Sequence, residues 1–485
     1  MRTPLRAIWR PLRHALYLTH RWLGIAGCLL FVLWFISGLV MLHVRFPTLT
    51  PQERLEGLPA LDLQQVRASP ASALAQIGVD APRKVTLERS ADAVVWRVID
   101  ARGGHHVVSA SGTALPAFSP RSAEAIAQAF GGATARYQET QVDDPWTLPN
   151  ASSFDKARPL HRVALDDAAG TELYVSARTG EVVRDSTAFE RRWTVFGTLL
   201  HYYTYAPIRR HADFWRQLVL WTSALAMVSA ATGLIVGTLR VRLRRRYRGT
   251  AVTPYRGWMA WHHLLGLVGG IAILTWVFSG WVSMGPGRWL SHSTPGDAAA
   301  RFGQAGQVFT HDIAVLQRMP AGARSVKAVE ATWFAGEPVW VLSDPGGHRA
   351  VDARSGQPLT VRAGELWKAV RLAHPGVDAD PPVLLTAPDR YWYARHVPVV
   401  LPVWRIVLHD ASATWYHVDA VSGQLLATST ADSRLRRWLF NGLHSLDFPL
   451  FLKTTWWYLT MWALSLMGLV VSVTGLVLGW RRLIR

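Results

Sequence analysis

Cysteine is almost absent: Cys28 stands alone in 485 residues. Disulfides, a thiolate zinc site and a C-x-x-C-H haem attachment are thereby excluded. The chain also lacks a G-x-G-x-x-G turn after a strand, a Walker loop, a G-x-S-x-G elbow and an H-E-x-x-H helix, and with them the cofactor, nucleotide, serine-hydrolase and zinc-protease chemistries those patterns carry. Charge is missing from four long apolar stretches, at about 22–42, 217–239, 264–287 and 456–480. Each is close to the roughly 20 residues a helix needs to cross a hydrocarbon layer of about 30 Å. Four transmembrane helices are expected, all in contact with membrane lipid.

The net charge of +19 raises nucleic acid as a partner, and its placement argues against one. Arg2, Arg6, Arg10, Arg13 and Arg21 precede the first apolar stretch, seven arginines lie between Arg240 and Arg256, and Arg481, Arg482 and Arg485 close the sequence. Basic clusters at helix ends orient a chain with those ends in the cytoplasm. The expectation is a multi-pass protein of a bacterial inner membrane with both termini inside. The first stretch is too long for a signal-peptide core and no small-residue cleavage pattern follows it, so it is expected to stay as an anchor.

Internal similarity is extensive. "HRWLGIAGCLLFVLWFISG" from His20 aligns without a gap on "HHLLGLVGGIAILTWVFSG" from His262, and residues 191–240 resemble 436–482. Within the outer stretches "HVVSASGTAL" (106–115), "LYVSARTGEVV" (173–183), "RAVDARSGQPL" (349–359) and "WYHVDAVSGQLL" (415–426) each read as strand, Gly-containing turn, strand. "SPRSAEAIAQAF" (119–130) reads as a Ser-capped helix. The fold class expected is a four-transmembrane-helix bundle with two α+β periplasmic domains, built by internal duplication. Its parts are a first helix in 1–43, an outer domain at 44–192, an interfacial segment and second helix at 193–239 and a basic cytoplasmic loop at 240–257. A third helix at 258–287, a second outer domain at 288–435 and an interfacial segment with the fourth helix at 436–485 complete the copy.

Histidines occupy corresponding places in the two halves. His20, Gly24 and Gly27 lie at i, i+4 and i+7 on one helical face, and His262, Gly266 and Gly269 repeat them. Glycines alone would serve helix packing, and one interfacial histidine would bond water or lipid phosphate. Two copies on one side of the membrane favour ligation: a flat macrocycle approaches the backbone over the glycines while two imidazoles reach one haem iron. His201 in "GTLLHYYTY" and His444 in "NGLHSLDF" form a second such pair on the outer side. From His20 to Leu42 is about 33 Å at 1.5 Å per residue, so two haem b groups would span the bilayer, with Trp34, Phe35, Trp276 and Phe278 between them. His43 and His263 are the alternates; His43 faces Gly285 in the alignment and His263 faces Arg21. His105, His106, His161, His396 and His417 are scattered through the outer stretches and read as surface or turn residues.

The pattern resembles the PepSY-associated transmembrane family, whose members include FoxB-type ferrisiderophore reductases. The resemblance rests on "HRWLG" and "HHLLG", on "LLH" and "GLH" before the second and fourth helices, and on the "VSARTGEVV" and "VDAVSGQLL" hairpins of PepSY modules. It implies an inner-membrane oxidoreductase with haem held by His20, His262, His201 and His444, passing electrons outward to a ferric siderophore or other ferric chelate and releasing Fe(II). The third helix departs from the H-R-x-x-G form, His263 standing where Arg is usual, so His262 and His263 both remain inner ligand candidates. The cytoplasmic parts are too short for a flavin or nicotinamide domain, so the electron donor is expected to be a separate protein, a diffusing carrier or membrane quinol. Two rivals stand beside this reading: a haem-free membrane-anchored PepSY protein that binds or regulates a partner, and a metal transporter.

Overall fold

The computed structural model describes residues 4–111, 115–141, 155–241, 252–286, 302, 308–319, 326–394, 399–451 and 454–485. Most of the basic loop between the second and third helices, residues 142–154 and His396 lie outside these residues. The chain divides into a membrane unit (1–46, 192–291, 432–485) and a second unit (47–191, 292–431).

Four helices long and apolar enough to cross a membrane make up the first unit: α1 (Pro4–Met41), α2 (Ala212–Arg240), α3 (Gly257–Ser283) and α4 (Thr455–Leu483). Helix α1 starts well before its apolar stretch, because arginine is a good helix former and the basic arm continues the same helix; His20 therefore sits mid-helix. Both α1 and α3 pack against α2 and α4, closing a four-helix ring. Glycine lets these helices approach. A Cβ on Gly468 of α4 would fall 2.2 Å from the Phe35 ring of α1, and one on Gly270 of α3 would fall 2.6 Å from Leu234 of α2. Phe35, Ala226, Ile273 and Val277 form the buried centre, with Phe31, Trp34 and Trp276 around them.

The second unit is α+β. Its first stretch supplies β1 (Pro82–Ser90), β2 (Ala93–Asp100), β3 (His105–Ser109), β4 (Ala135–Gln141), β5 (Leu160–Leu165), β6 (Glu172–Ser176) and β7 (Val182–Ser186). Its second supplies β8 (Ala328–Phe334), β9 (Glu337–Asp344), β10 (Gly347–Asp352), β11 (Val383–Leu385), β12 (Val403–Val407), β13 (Trp415–Asp419) and β14 (Leu425–Ser429). Strands β4–β7 and β11–β14 each form a four-stranded sheet, and the other six run in the order β10-β9-β8-β1-β2-β3. The outer domains expected at 44–192 and 288–435 are thus joined: β1 pairs antiparallel with β8, with Val85 opposite Ala331 and Leu87 opposite Val329. An unpaired edge strand in each half explains the joining, since pairing the two edges satisfies both rows of backbone groups.

The expected helix is present at Pro120–Gly131, capped by Ser119 and closed by left-handed Gly132. The β6–β7 and β13–β14 hairpins turn through Gly180 (φ 63°) and Gly423 (φ 69°). At both, an added Cβ would also run into a ring, Phe118 at 2.6 Å and Phe334 at 2.3 Å, so glycine is required twice over.

Trp96 of β2 and Trp340 of β9, both fully buried, stack with ring centres 6.2 Å apart in a core drawn from both stretches. Trp340→Ala is expected to cost about 3–5 kcal/mol and to expose both stretches to protease together. Cleavage confined to 292–431 would contradict a shared core. Glu88, 2% exposed, binds Arg54 through two hydrogen bonds of 2.7 and 2.6 Å and Arg97 Nε at 2.9 Å. Burial opposes its ionisation, and the two guanidinium groups outweigh burial and hold its carboxyl below the usual range. Its contribution to stability is therefore present above the ordinary carboxylate pKa and is lost as pH falls through the depressed value.

Candidate functional site

Each expected histidine pair is brought together inside the membrane unit. The rings of His20 (α1) and His262 (α3) lie 6.2 Å apart between centres at 34°, toward the end of the bundle that carries both chain termini. Those of His201 and His444 lie 6.2 Å apart at 82°, at the far end. A metal–imidazole bond of about 2.0 Å, plus roughly 1.2 Å from that nitrogen to the ring centre, taken twice, places two rings on opposite sides of one metal about 6.4 Å apart. Both separations meet that value.

Hydrogen bonds fix which nitrogen each ring offers. His20 Nδ1 donates to the Ser229 carbonyl at 3.0 Å and His262 Nδ1 to the Val471 carbonyl at 3.0 Å, each across 209 residues of chain. At the far end Ser37 Oγ donates to the Trp34 carbonyl and accepts from His201 Nδ1 at 3.0 Å. Ser279 Oγ donates to the Trp276 carbonyl and accepts from His444 Nδ1 at 2.9 Å. A carbonyl can only accept, so in each of the four rings Nδ1 carries the proton and Nε2 keeps its lone pair. An anchored Nδ1–H with a free Nε2 is the usual preparation of a metal-binding histidine.

The segments carrying the far-end histidines have matching backbones. A π-helical turn, Val195–Leu199 or Trp438–Gly442, leads into a short helix, Leu200–Tyr202 or Leu443–Ser445. A left-handed residue follows each, Tyr203 (φ 54°) and Leu446 (φ 52°). Non-glycine residues in this conformation, and π turns, cluster where a side chain must be aimed. Tryptophans in the first turn of α2 and α4 tie the segments down: Trp215 Nε1 donates to the Tyr202 carbonyl and Trp457 Nε1 to the Ser445 carbonyl, both at 2.7 Å.

A cavity of about 700 Å³ opens beside His20 and His262, within the roughly 300–1,000 Å³ of cofactor pockets. Gly24 and Gly266 line it, and Gly24 faces open space. The i+7 glycines do not line it. A Cβ on Gly269 would meet Met467 of α4 at 2.8 Å, and one on Gly27 would face Phe31 of its own helix at 3.8 Å, so the first is turned against a neighbouring helix and the second against a side chain one turn on. The glycines that press on the rings lie on the other two helices, unforeseen in the stripe pattern. A Cβ on Gly233 would fall 2.6 Å from His20 Cε1 and one on Gly475 would fall 3.3 Å from His262 Cε1. The signal was present in "TGLIVG" and "TGLVLG". Gly38 and Gly280, each just after an anchoring serine, back His201 and His444 at 3.9 Å.

The alternates are placed differently. His263 lines the cavity but has both nitrogens engaged, Nδ1 with Thr253 Oγ1 at 2.8 Å and Nε2 with the Gly237 carbonyl at 2.9 Å, so its Nε2 carries the proton. His43 lies against Trp462, ring centres 5.6 Å apart. In the second unit His106 bonds Asp100, His161 bonds Thr140 and the Phe118 carbonyl, His417 accepts from Arg405, and His105 lies 3.7 Å from Glu181.

The repeated histidines, their serine and carbonyl anchors and the four apolar helices form one constellation, and a match to the PepSY-associated TM region covers residues 17–355. The chain belongs to this family. No curated protein matches it. As a member of the PepSY-associated TM family it is a multi-pass membrane protein with β-sheet domains.

The geometry suits a planar macrocycle better than a bare ion. Among the described residues no group of three or more His, Cys, Asp or Glu is placed to hold a metal, and two imidazoles alone leave a small ion under-coordinated. A porphyrin brings four equatorial nitrogens and needs two axial ones. Ser37 and Ser279 lie 17 residues along their helices from His20 and His262, or about 25 Å at 1.5 Å per residue. This is shorter than the expected span because the far-end rings are anchored inside the bundle and not at its rim. Phe31 reaches the cavity and meets Trp34, ring centres 5.9 Å apart; Trp34 Nε1 donates to the His201 carbonyl at 3.2 Å, and Phe35 meets Trp276 at 5.9 Å.

Proposed function

We propose that this protein is a haem-containing electron-transfer protein of a bacterial inner membrane, with its termini cytoplasmic, that reduces a ferric siderophore or other ferric chelate on the periplasmic side. The observation that carries the reading is the equal 6.2 Å spacing of two histidine pairs at opposite ends of one bundle, each ring with an anchored Nδ1 and a free Nε2. His20 and His262 would hold one haem b and His201 and His444 a second. Bound haem supplies a one-electron Fe(III)/Fe(II) couple. The chain's own residues orient the ligating nitrogens, exclude water through the apolar ring of helices, and fill the interval with aromatic side chains. In the net reaction each ferric ion accepts one electron from a cytoplasmic reductant or membrane quinol, and the Fe(II) product leaves because hard oxygen ligands hold it less tightly than Fe(III).

The test is optical. Protein purified from iron-replete cells is expected to show a Soret band and sharp α bands on reduction with dithionite. Anaerobic addition of a ferric chelate then reoxidises it and yields Fe(II) in equal electron count. A colourless preparation would transfer the reading to a haem-free binding protein. A coloured one that no ferric chelate reoxidises would keep the haem and discard the acceptor.

A further inference from the structure

The cavity beside His20 and His262 has a cationic rim, and no Asp or Glu side chain lines it. Arg240, in the last turn of α2, and Arg482, in the last turn of α4, both line it. No Asp or Glu occurs in residues 1–52, 214–296 or 448–485, the stretches that supply all four helices apart from Asp213 at the far end. Arginine in a last helical turn is favoured by the helix dipole alone, and exposed arginines there meet lipid phosphates. Five arginines line the cavity, Arg21, Arg240, Arg481, Arg482 and Arg485, and neither effect singles out Arg240 and Arg482 among them.

Their spacing does. His20 and His262, Gly233 and Gly475, and Arg240 and Arg482 are each separated by 242 positions (262 − 20, 475 − 233, 482 − 240), and all six line the one cavity. An operation that exchanges two axial imidazoles exchanges the two faces of the macrocycle between them, so its axis lies in the plane of the ring. The same operation exchanges the two propionate side chains that haem carries on one edge. Two carboxylates related in this way call for two cations related in the same way. Arg240 is held for the purpose: Nε donates to Tyr17 Oη at 2.5 Å and its guanidinium lies 5.0 Å over the Tyr17 ring, which leaves both terminal nitrogens for a carboxylate.

Resting on the haem reading above, we propose that Arg240 and Arg482 each bind one propionate of the haem held by His20 and His262, and so direct its polar edge toward the end of the bundle that carries the termini.

The experiment compares wild type with R240Q, R482Q and the double variant, all with the four ligating histidines intact. Haem per protein, the midpoint potential of each centre, and uptake of haem against haem dimethyl ester by the haem-depleted protein are measured. The far-end centre serves as the internal check that the bundle is folded. In the double variant, affinity at the cavity is expected to fall at least tenfold, the remaining haem there to have a lower potential, and the preference for free-acid haem over its ester to disappear. Each single variant should show an intermediate loss, with the far-end centre unchanged. A double variant with wild-type haem content, potentials and preference for the free acid would overturn the assignment while leaving the haem reading intact. A wild-type protein that takes up neither haem nor its ester would overturn both.

Discussion

Changing His444 to alanine is expected to halve the haem carried by the purified protein, from two to one per chain, with the spectrum of the remaining centre unchanged. His444 offers its Nε2 opposite His201, and no third His, Cys, Asp or Glu joins either pair among the described residues, so nothing replaces a lost ligand. His20→Ala should do the same at the other end. The two pairs are about 25 Å apart along the helices, and losing one centre leaves the other's anchors in place. Pyridine haemochrome content against protein concentration, with low-temperature α-band spectra, measures both. Loss of both centres from one change would contradict separate sites. His263→Ala is expected to keep both haems, since its Nε2 is committed to the Gly237 carbonyl.

A substitution that removes no ligand should be nearly as severe. In Gly233→Val the first side-chain atom alone would fall 2.6 Å from His20 Cε1. The ring cannot retreat without giving up its bond to the Ser229 carbonyl, one turn back on the same helix. Loss of the centre beside His20 is therefore expected, with the far-end centre retained. Gly475→Ala, at 3.3 Å from His262 Cε1, demands a shift of only a few tenths of an ångström and should weaken haem binding without abolishing it. Gly24→Ala, facing open space, should leave haem content unchanged and slightly stabilise α1, since alanine is the better helix former by about 1 kcal/mol. The graded series G24A, G475A, G233V is read as haem per protein at the cavity. Two haems retained in G233V would show that the ring is not confined by α2.

Much of the candidate site was legible because membrane helices impose few and strong patterns. Charge-free stretches marked the spans, and the recurrence of His20 as His262 and of His201 as His444 marked candidate ligands. The supporting residues were harder to see. Ser37 and Ser279 sit in the aligned "SG" ends of two matching stretches, yet a serine in an apolar helix ordinarily bonds its own backbone, as these also do. Their second bond, to a ring from another segment, depends on a contact across 164 or 165 residues. The glycines were misjudged in part for the same reason. Helical spacing tells which residues share a face, while the neighbour that face meets is decided by packing.

Sequence alone determined four helices, the paired histidines and the hairpin turns, because each follows from local composition, period or repetition. Tertiary structure alone decided that His262 and not His263 has a free Nε2, since the proton on each ring follows from which distant carbonyl or hydroxyl it meets. It also decided that the two outer stretches share a sheet, since the pairing of edge strands β1 and β8 is a choice of partner that neither strand encodes by itself.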